Sequence, residues 1–232
     1  SKSVENHMIS QINSNYKKIL NKIKISCTKA NRDPKTVKLT AVCKRQPIIK
    51  VKEAVELGIN CFGENRVQDA QNRWSRIELN NINLKFIGPL QTNKSENVIR
   101  LFDEVQSLDR IKLVISLSKA QLKLNKNIKY VLQVNTGNER QKSGIKANEV
   151  EDFIYTCRFN YGLNIKGLMC IPPVNENPAV HFAFMYKIFK KNKLDILSMG
   201  MSNDFETAIE FGSTDIRIGS ELFGTRLEKE EY

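Results

Sequence analysis

Apolar positions along the chain fall into two alternating kinds of cluster, short continuous runs and longer stripes at helical spacing. The run at residues 39–44, Leu-Thr-Ala-Val-Cys-Lys, reads as a buried strand closed by Lys44. Ahead of it, residues 9–30 carry Ile9, Ile12, Tyr16, Ile19, Leu20 and Ile23 on one face and lysines on the other, which predicts a helix before the first strand. After it, Pro47 suits a first helical turn, Ile48, Val51, Ala54 and Val55 share a face, and Gly58 offers a stop. The alternation then recurs. Strands are expected at 59–63, 84–88, 104–109 (weakly), 130–135, 165–171, 194–199 and 215–219. Helices are expected at 67–77, 96–101, 111–124, 147–158 and 179–190, and residues 136–144 form a polar, glycine-bearing loop.

Eight strands separated by helix-sized segments favour parallel pairing through right-handed crossovers. In a chain of 232 residues this predicts an α/β fold, a single (β/α)8 TIM barrel with an extra N-terminal helix, spanning 1–232 as one domain. The opening residues 1–8 show no pattern and are expected to be flexible. A doubly wound open sheet is the competing architecture, but no GxGxxG opens a helix anywhere.

Composition narrows the picture further. Hydrophobic residues make up 41% of the chain, enough for a sizeable core, and no apolar run is long enough to span a membrane. The N-terminus lacks a secretory apolar segment, so a cytoplasmic location is expected. Five cysteines (Cys27, Cys43, Cys61, Cys157, Cys170) are an odd number without a CxxC pair; they read as reduced core residues, and no metal site is expected. A net charge of +12 raises the question of nucleic acid, but Lys and Arg are dispersed among Asn and Ile and no recognition module is present. The field would still favour small anionic ligands.

If the barrel closes, the residues following each strand share one face, and the last two strands are the usual place for a phosphate. Lys44 ends the first strand, where an amine that has lost part of its hydration can act as a nucleophile toward a carbonyl. In Ser198-Met199-Gly200-Met201-Ser202-Asn203-Asp204-Phe205-Glu206, Gly200 lets backbone approach an anion, Ser202 supplies a hydroxyl, and Asn203 with Glu206 forms a capping pair that starts a helix. After the eighth strand, Gly219 and Ser220 repeat the glycine–hydroxyl pattern. Arg217, a charge between Ile216 and Ile218, faces either the barrel interior or the helices, and needs a partner: a ligand ring nitrogen, or a carboxylate such as Glu64. Asn65 donates to a phosphate or closes a turn. A nucleophilic lysine, a phosphate cradle and an arginine fit pyridoxal 5'-phosphate (PLP).

The same residues carry a resemblance. Ala41-Val42-Cys43-Lys44, Phe62-Gly63-Glu64-Asn65, Phe86-Ile87-Gly88-Pro89-Leu90-Gln91-Thr92-Asn93-Lys94, Gly167-Leu168-Met169, the 198–206 segment and Arg217-Ile218-Gly219 look like the pyridoxal phosphate homeostasis proteins, in that family's order from about residue 39 to 224. The resemblance implies a barrel like the N-terminal domain of alanine racemase. It assigns Lys44 to the Schiff base with the cofactor, Ser202, Gly219 and Ser220 to its phosphate, Arg217 to the pyridine nitrogen, and Asn65, Met199 and Gly200 to the surroundings of the ring. The sequence also departs from the family pattern. Cys43 stands where serine is common, Arg45-Gln46 replaces a usual Thr-Lys, and Lys85 and Pro89 occupy positions often held by histidine.

The implied function is a protein that holds and hands over PLP in vitamin B6 and amino-acid homeostasis, without strong turnover. Racemisation needs a base on each face of the substrate's α-carbon, and in the resembled racemases the second comes from a domain not expected here. The expected partners are PLP and apo forms of PLP-dependent enzymes, with no nucleic acid and no membrane, and the protein is expected to be a monomer. The alternatives are a weak PLP-dependent amino-acid racemase and a barrel aldolase whose lysine attacks a sugar phosphate.

Overall fold

Parallel pairing runs continuously around the sheet. The computed structural model describes residues 2–140 and 143–224, and the side chains of residues 4–10 lie outside that description. Its strands are β1 (Lys38–Val42), β2 (Cys61–Glu64), β3 (Asn83–Phe86), β4 (Glu104–Leu108), β5 (Lys129–Asn135), β6 (Ile145–Lys146), β7 (Asn164–Met169), β8 (Ile196–Ser198) and β9 (Asp215–Ile218). The order β4-β3-β2-β1-β9-β8-β7-β5, with β4 also pairing β5, closes eight parallel strands into the expected barrel. The two-residue strand β6 lies outside the ring and was not predicted. Its partner is β5 (Val134 opposite Ile145), and the close approach needs Gly144: at φ +118° a Cβ there would stand 2.6 Å from the Asn135 nitrogen.

Around the ring lie α1 (Lys2–Lys29), α2 (Ile48–Glu56), α3 (Val67–Trp74), α4 (Ser95–Leu101), α5 (Ile111–Leu124), α6 (Val150–Tyr155, continued by a π-helical turn, Thr156–Asn160), α7 (Pro178–Lys191), α8 (Phe205–Glu210) and α9 (Ser220–Phe223). The expected N-terminal helix begins at Lys2, so residues 2–8, read as patternless, belong to it; Ser1 lies outside the described residues. Of its predicted stripe, Ile12, Ile19 and Ile23 are buried, Leu20 is exposed, and the side chain of Ile9 is outside the description. The helix packs on the last elements of the chain, where Asn15 Nδ2 donates to Leu222 O (3.0 Å) and Lys22 pairs with Glu221 (2.9 Å).

Strand alternation divides two cores. Ala41, Phe62, Leu84, Phe86, Val105, Ile216 and Ile218 belong to the apolar layer between sheet and helices. The barrel interior is polar. Lys85 on β3 bonds Asp215 on β9 (2.5 Å), and Ser198 on β8 bonds Gln106 on β4 (2.7 Å); neither strand pair is adjacent in the ring, so both contacts cross the inside. Gln106 in turn donates to Glu104, which lies 3.7 Å from Lys85. Burial works to lower the pKa of Lys85, and Asp215, Cys61 and Glu104 more than reverse it.

Candidate functional site

The strand order gathers the expected site residues onto four consecutive strands, β8, β9, β1 and β2. Ala41 on β1 pairs with Ile218 on β9, so the chain beyond both strands, carrying Lys44 on one side and Gly219 and Ser220 on the other, leaves the same edge of the ring. Neighbouring strands are roughly 5 Å apart. Asn65 follows β2, and Met199, Gly200 and Ser202 follow β8, so all of these lie at the C-terminal mouth.

Lys44 is not on the strand. β1 ends at Val42, one more ladder bond joins Cys43 N to Gly63 O (3.0 Å), and the chain then turns, Gln46 N bonding Cys43 O (2.9 Å) with Arg45 at φ +58°. Lys44 is exposed in that turn, which overturns the expectation of an amine desolvated by a packed strand. Alternation through Thr40 and Val42 keeps Lys44 on the inward-facing parity, and among the described residues its amine has no hydrogen bond or ion pair.

The turn is held from behind. Arg73 of α3 donates through Nη2 to Cys43 O (3.1 Å) and Gln46 O (3.3 Å), the carbonyls on either side of Lys44-Arg45, while its Nη1 contacts both oxygens of Glu64. Trp74 Nε1 donates to the same carboxylate (2.7 Å). Burial raises the Glu64 pKa, and Arg73 opposes that. One buried cluster thus fixes the Lys44 turn relative to the residue preceding Asn65. Glu64 is therefore not the partner of Arg217. Sequence reasoning missed this clamp, although Arg73 set among Val67, Ala70 and Trp74 on the buried side of α3 was a readable sign of a charge with an assigned partner.

Arg217 faces the barrel interior, donating to Ser198 Oγ (3.1 Å) and Cys170 O (3.0 Å), and burial lowers its pKa. Met199 is fully buried in the apolar core, on the opposite parity to Ser198, so its side chain packs under the helices. Gly200 is required by packing: at φ +103° a Cβ would stand 2.7 Å from the Cβ of Ala208 on α8. The Asn203–Glu206 capping pair does not form. Asp204 takes the N-cap position, and its carboxylate turns back to accept from Met201 N (2.7 Å), closing the loop on itself. Ser202 and Ser220 border one open cleft, whose rim is completed by Gln11, Asn15 and Lys22 of α1, a contribution that nothing in the polar face of that helix announced.

A phosphorylated aldehyde cofactor is compatible with this mouth on several counts. Asn65 Oδ1 and Thr136 Oγ1, at the ends of β2 and β5, are buried without partners among the described residues and would take up groups of a ligand. Gly63 leaves the inward side of β2 without a side chain, and a Cβ there would lie 2.9 Å from Ile87 Cδ1. Lys44 would supply the amine, and Ser202, Gly219 and Ser220 the anion contacts. Among the described residues no cluster of His, Cys, Asp and Glu could hold a metal ion.

Comparison with known proteins places the barrel in a family. The family model for the alanine racemase N-terminal domain matches residues 13–227. The pyridoxal phosphate homeostasis protein of Haemophilus influenzae is 37% identical, the alignment covering 93% of this chain and 96% of that protein, and the one from Escherichia coli K12 is 32% identical over 91% and 95%. Among solved structures, PipY of Synechococcus elongatus with PLP bound superposes with a TM-score of 0.75 at 29% identity, covering 88% of this chain and all of that one. Alanine racemase of Clostridium difficile, at 12% identity and a TM-score of 0.72, shares the fold. The chain belongs to the pyridoxal phosphate homeostasis protein family, built on the barrel of the alanine racemase N-terminal domain.

Proposed function

We propose that the protein is a reversible PLP carrier that holds the cofactor as a Schiff base on Lys44 and serves vitamin B6 and amino-acid homeostasis. The observation that carries this reading is the adjacency of β9 and β1, which brings a lysine amine with no partner among the described residues and the Ser202–Ser220 cleft to one edge of the barrel. The PLP-bound relative supports it. Bound there, the cofactor supplies a reactive aldehyde. Lys44 would attach it, Ser202, Gly219 and Ser220 would hold its phosphate, Asn65 and Gly200 would border it, Met199 backs the loop from the core, and Arg217 would be the cation at the ring nitrogen. A guanidinium, unlike a carboxylate, does not keep a pyridine nitrogen protonated, so the site is a poor electron sink and turnover is slight. The exposed turn favours release, and apo forms of PLP-dependent enzymes are the acceptors. In this reading the protein works as a cytoplasmic monomer; among the described residues no helix is long and apolar enough to cross a membrane.

The test is the absorbance spectrum of protein mixed with PLP, followed by borohydride reduction and peptide mapping. The adduct is expected on Lys44, and Lys44→Ala is expected to remove the protein-bound imine band. An adduct mapped to any other lysine in the folded protein overturns the assignment.

A further inference from the structure

A hydrogen-bond path through the barrel interior ends on Arg217. From β9, Arg217 Nη1 donates to Ser198 Oγ on β8 (3.1 Å), which donates to Gln106 Oε1 on β4 (2.7 Å), and Gln106 Nε2 donates to Glu104 Oε2 on the same strand (2.6 Å). Ser198 and Gln106 are fully buried and Glu104 is 3% exposed, so these groups have each other rather than bulk water as partners. The path has a direction, which follows from the chemistry of its members. A guanidinium only donates, so the Ser198 hydroxyl must accept from Arg217 and send its own proton elsewhere. Gln106 receives that proton on its amide oxygen, which requires its amide nitrogen to face the other way. Glu104 enforces this, because its carboxylate accepts from Nε2; burial raises the Glu104 pKa, and Lys85, 3.7 Å away, opposes that. Turned end for end, the Gln106 amide would set its oxygen against the carboxylate and lose that bond.

We infer that Gln106 is a positioning residue for the cofactor's ring nitrogen: it orients the Ser198 hydroxyl, which holds the Arg217 guanidinium, and so fixes the charge that the nitrogen meets. The inference rests on the carrier reading above, in which Arg217 is the cation at that nitrogen. Arg217 Nη2 is held separately by Cys170 O (3.0 Å), and bonds on both Nη atoms together set the plane of the group. Its other donors have no acceptor among the described residues and are left for a ligand. Without the Ser198 contact, the guanidinium would pivot about the Cys170 bond alone. A fixed neighbouring cation disfavours a proton on the ring nitrogen, and a displaced one disfavours it less. Gln106 therefore sets the electronic state of the cofactor without touching it, while attachment stays with Lys44.

Nitrogen NMR tests this in two states of the folded protein. In the PLP-free protein with isotope-labelled arginine, Arg217, identified by the loss of its signals in Arg217→Lys, is expected to show separate Nη resonances, which merge in the near-isosteric Gln106→Met as the group begins to turn. In protein loaded with PLP labelled at the ring nitrogen, Gln106→Met is expected to raise the apparent pKa of that nitrogen by about one unit, with the adduct on Lys44 still formed. Ser198→Ala breaks the path at its other link and should give both signatures, so the comparison stands if Gln106→Met does not fold. The double change Glu104→Gln with Gln106→Glu exchanges the two groups but still lets the side chain at 106 accept from Ser198, and should restore the parent signals. Nη resonances that stay separate in both single variants, a double variant that behaves like Gln106→Met, or a ring nitrogen that titrates alike in parent and variants overturns the proposal. A parent that forms no adduct on Lys44 overturns the carrier reading and the ring-nitrogen half of this one, while the PLP-free signals still show whether Gln106 holds Arg217.

Discussion

In the Glu64–Arg73–Trp74 cluster the guanidinium divides its donors between a carboxylate and two backbone carbonyls. In the Lys85–Asp215–Glu104 cluster every contact joins side chain to side chain. Both clusters are buried, both are built from opposite charges, and one member of each, Glu64 on β2 and Lys85 on β3, lies on adjacent strands. The difference lies in what each one holds. The first fixes the path of a loop at the mouth, and the second fills the inside of a closed ring. A buried ion pair can often be exchanged for well-packed apolar groups without loss of stability, but one that binds backbone has no apolar substitute, because the carbonyls would be left unpaired.

The largest effect expected from this contrast is on stability. Lys85→Met leaves two buried carboxylates facing each other and should cost about 3–5 kcal/mol in denaturant unfolding, with PLP uptake by the folded fraction unchanged. Replacing Lys85, Glu104 and Asp215 together with apolar residues should recover most of that loss. If the triple change is as damaging as the single one, the interior cluster is more than filler. Arg73→Lys keeps the charge but loses the fork, so it should cost less, about 1–2 kcal/mol, and weaken PLP affinity tenfold or more in a spectroscopic titration. A stability loss with unaltered PLP affinity would erase the distinction between the two clusters. Ser198→Ala removes the hydroxyl shared by Gln106 and Arg217 and should cost about 1 kcal/mol.

The smallest effect concerns the thiols. All five cysteines are buried and free, and burial raises each thiol above its ordinary pKa, Cys157 and Cys170 to about 12. At pH 8 the thiolate fraction is therefore lower than for an exposed cysteine, and a thiol reagent should label none in the folded protein and all five after unfolding. In Arg73→Lys, Cys43 should be the first to react, because the carbonyl clamp on its own residue has loosened.

The sequence was informative where one residue type answers to one local rule. Runs such as Tyr130–Asn135 and the spacing in α5 have strong periods, and the ring they form follows from the handedness of their connections. The positions of Lys44, Ser202, Gly219 and Ser220 at one mouth were legible because each follows the end of a strand. What could not be read were contacts between residues far apart in the chain. The Lys85–Asp215 bond depends on closure of the barrel, and the Arg73 grip on Cys43 and Gln46 depends on how α3 sits on the sheet. Neither has a local signature. The Asn203–Glu206 capping pair failed for another reason: Asp204, one residue on, competes for the same role and bonds Met201 N instead.

Pairing of β1 with β9 also has a temporal consequence. During synthesis Lys44 leaves the ribosome well before Ser202, Gly219 and Ser220 exist, and the first strand, paired on one side by β2, must wait for the last to give it a neighbour on the other. If the proposed carrier role holds, a nascent chain would expose the amine but could not retain a phosphate ester beside it. Cofactor loading would then report on finished folding, and any truncation that removes β9 should yield a chain whose lysine meets pyridoxal phosphate no differently from a lysine in an unfolded peptide.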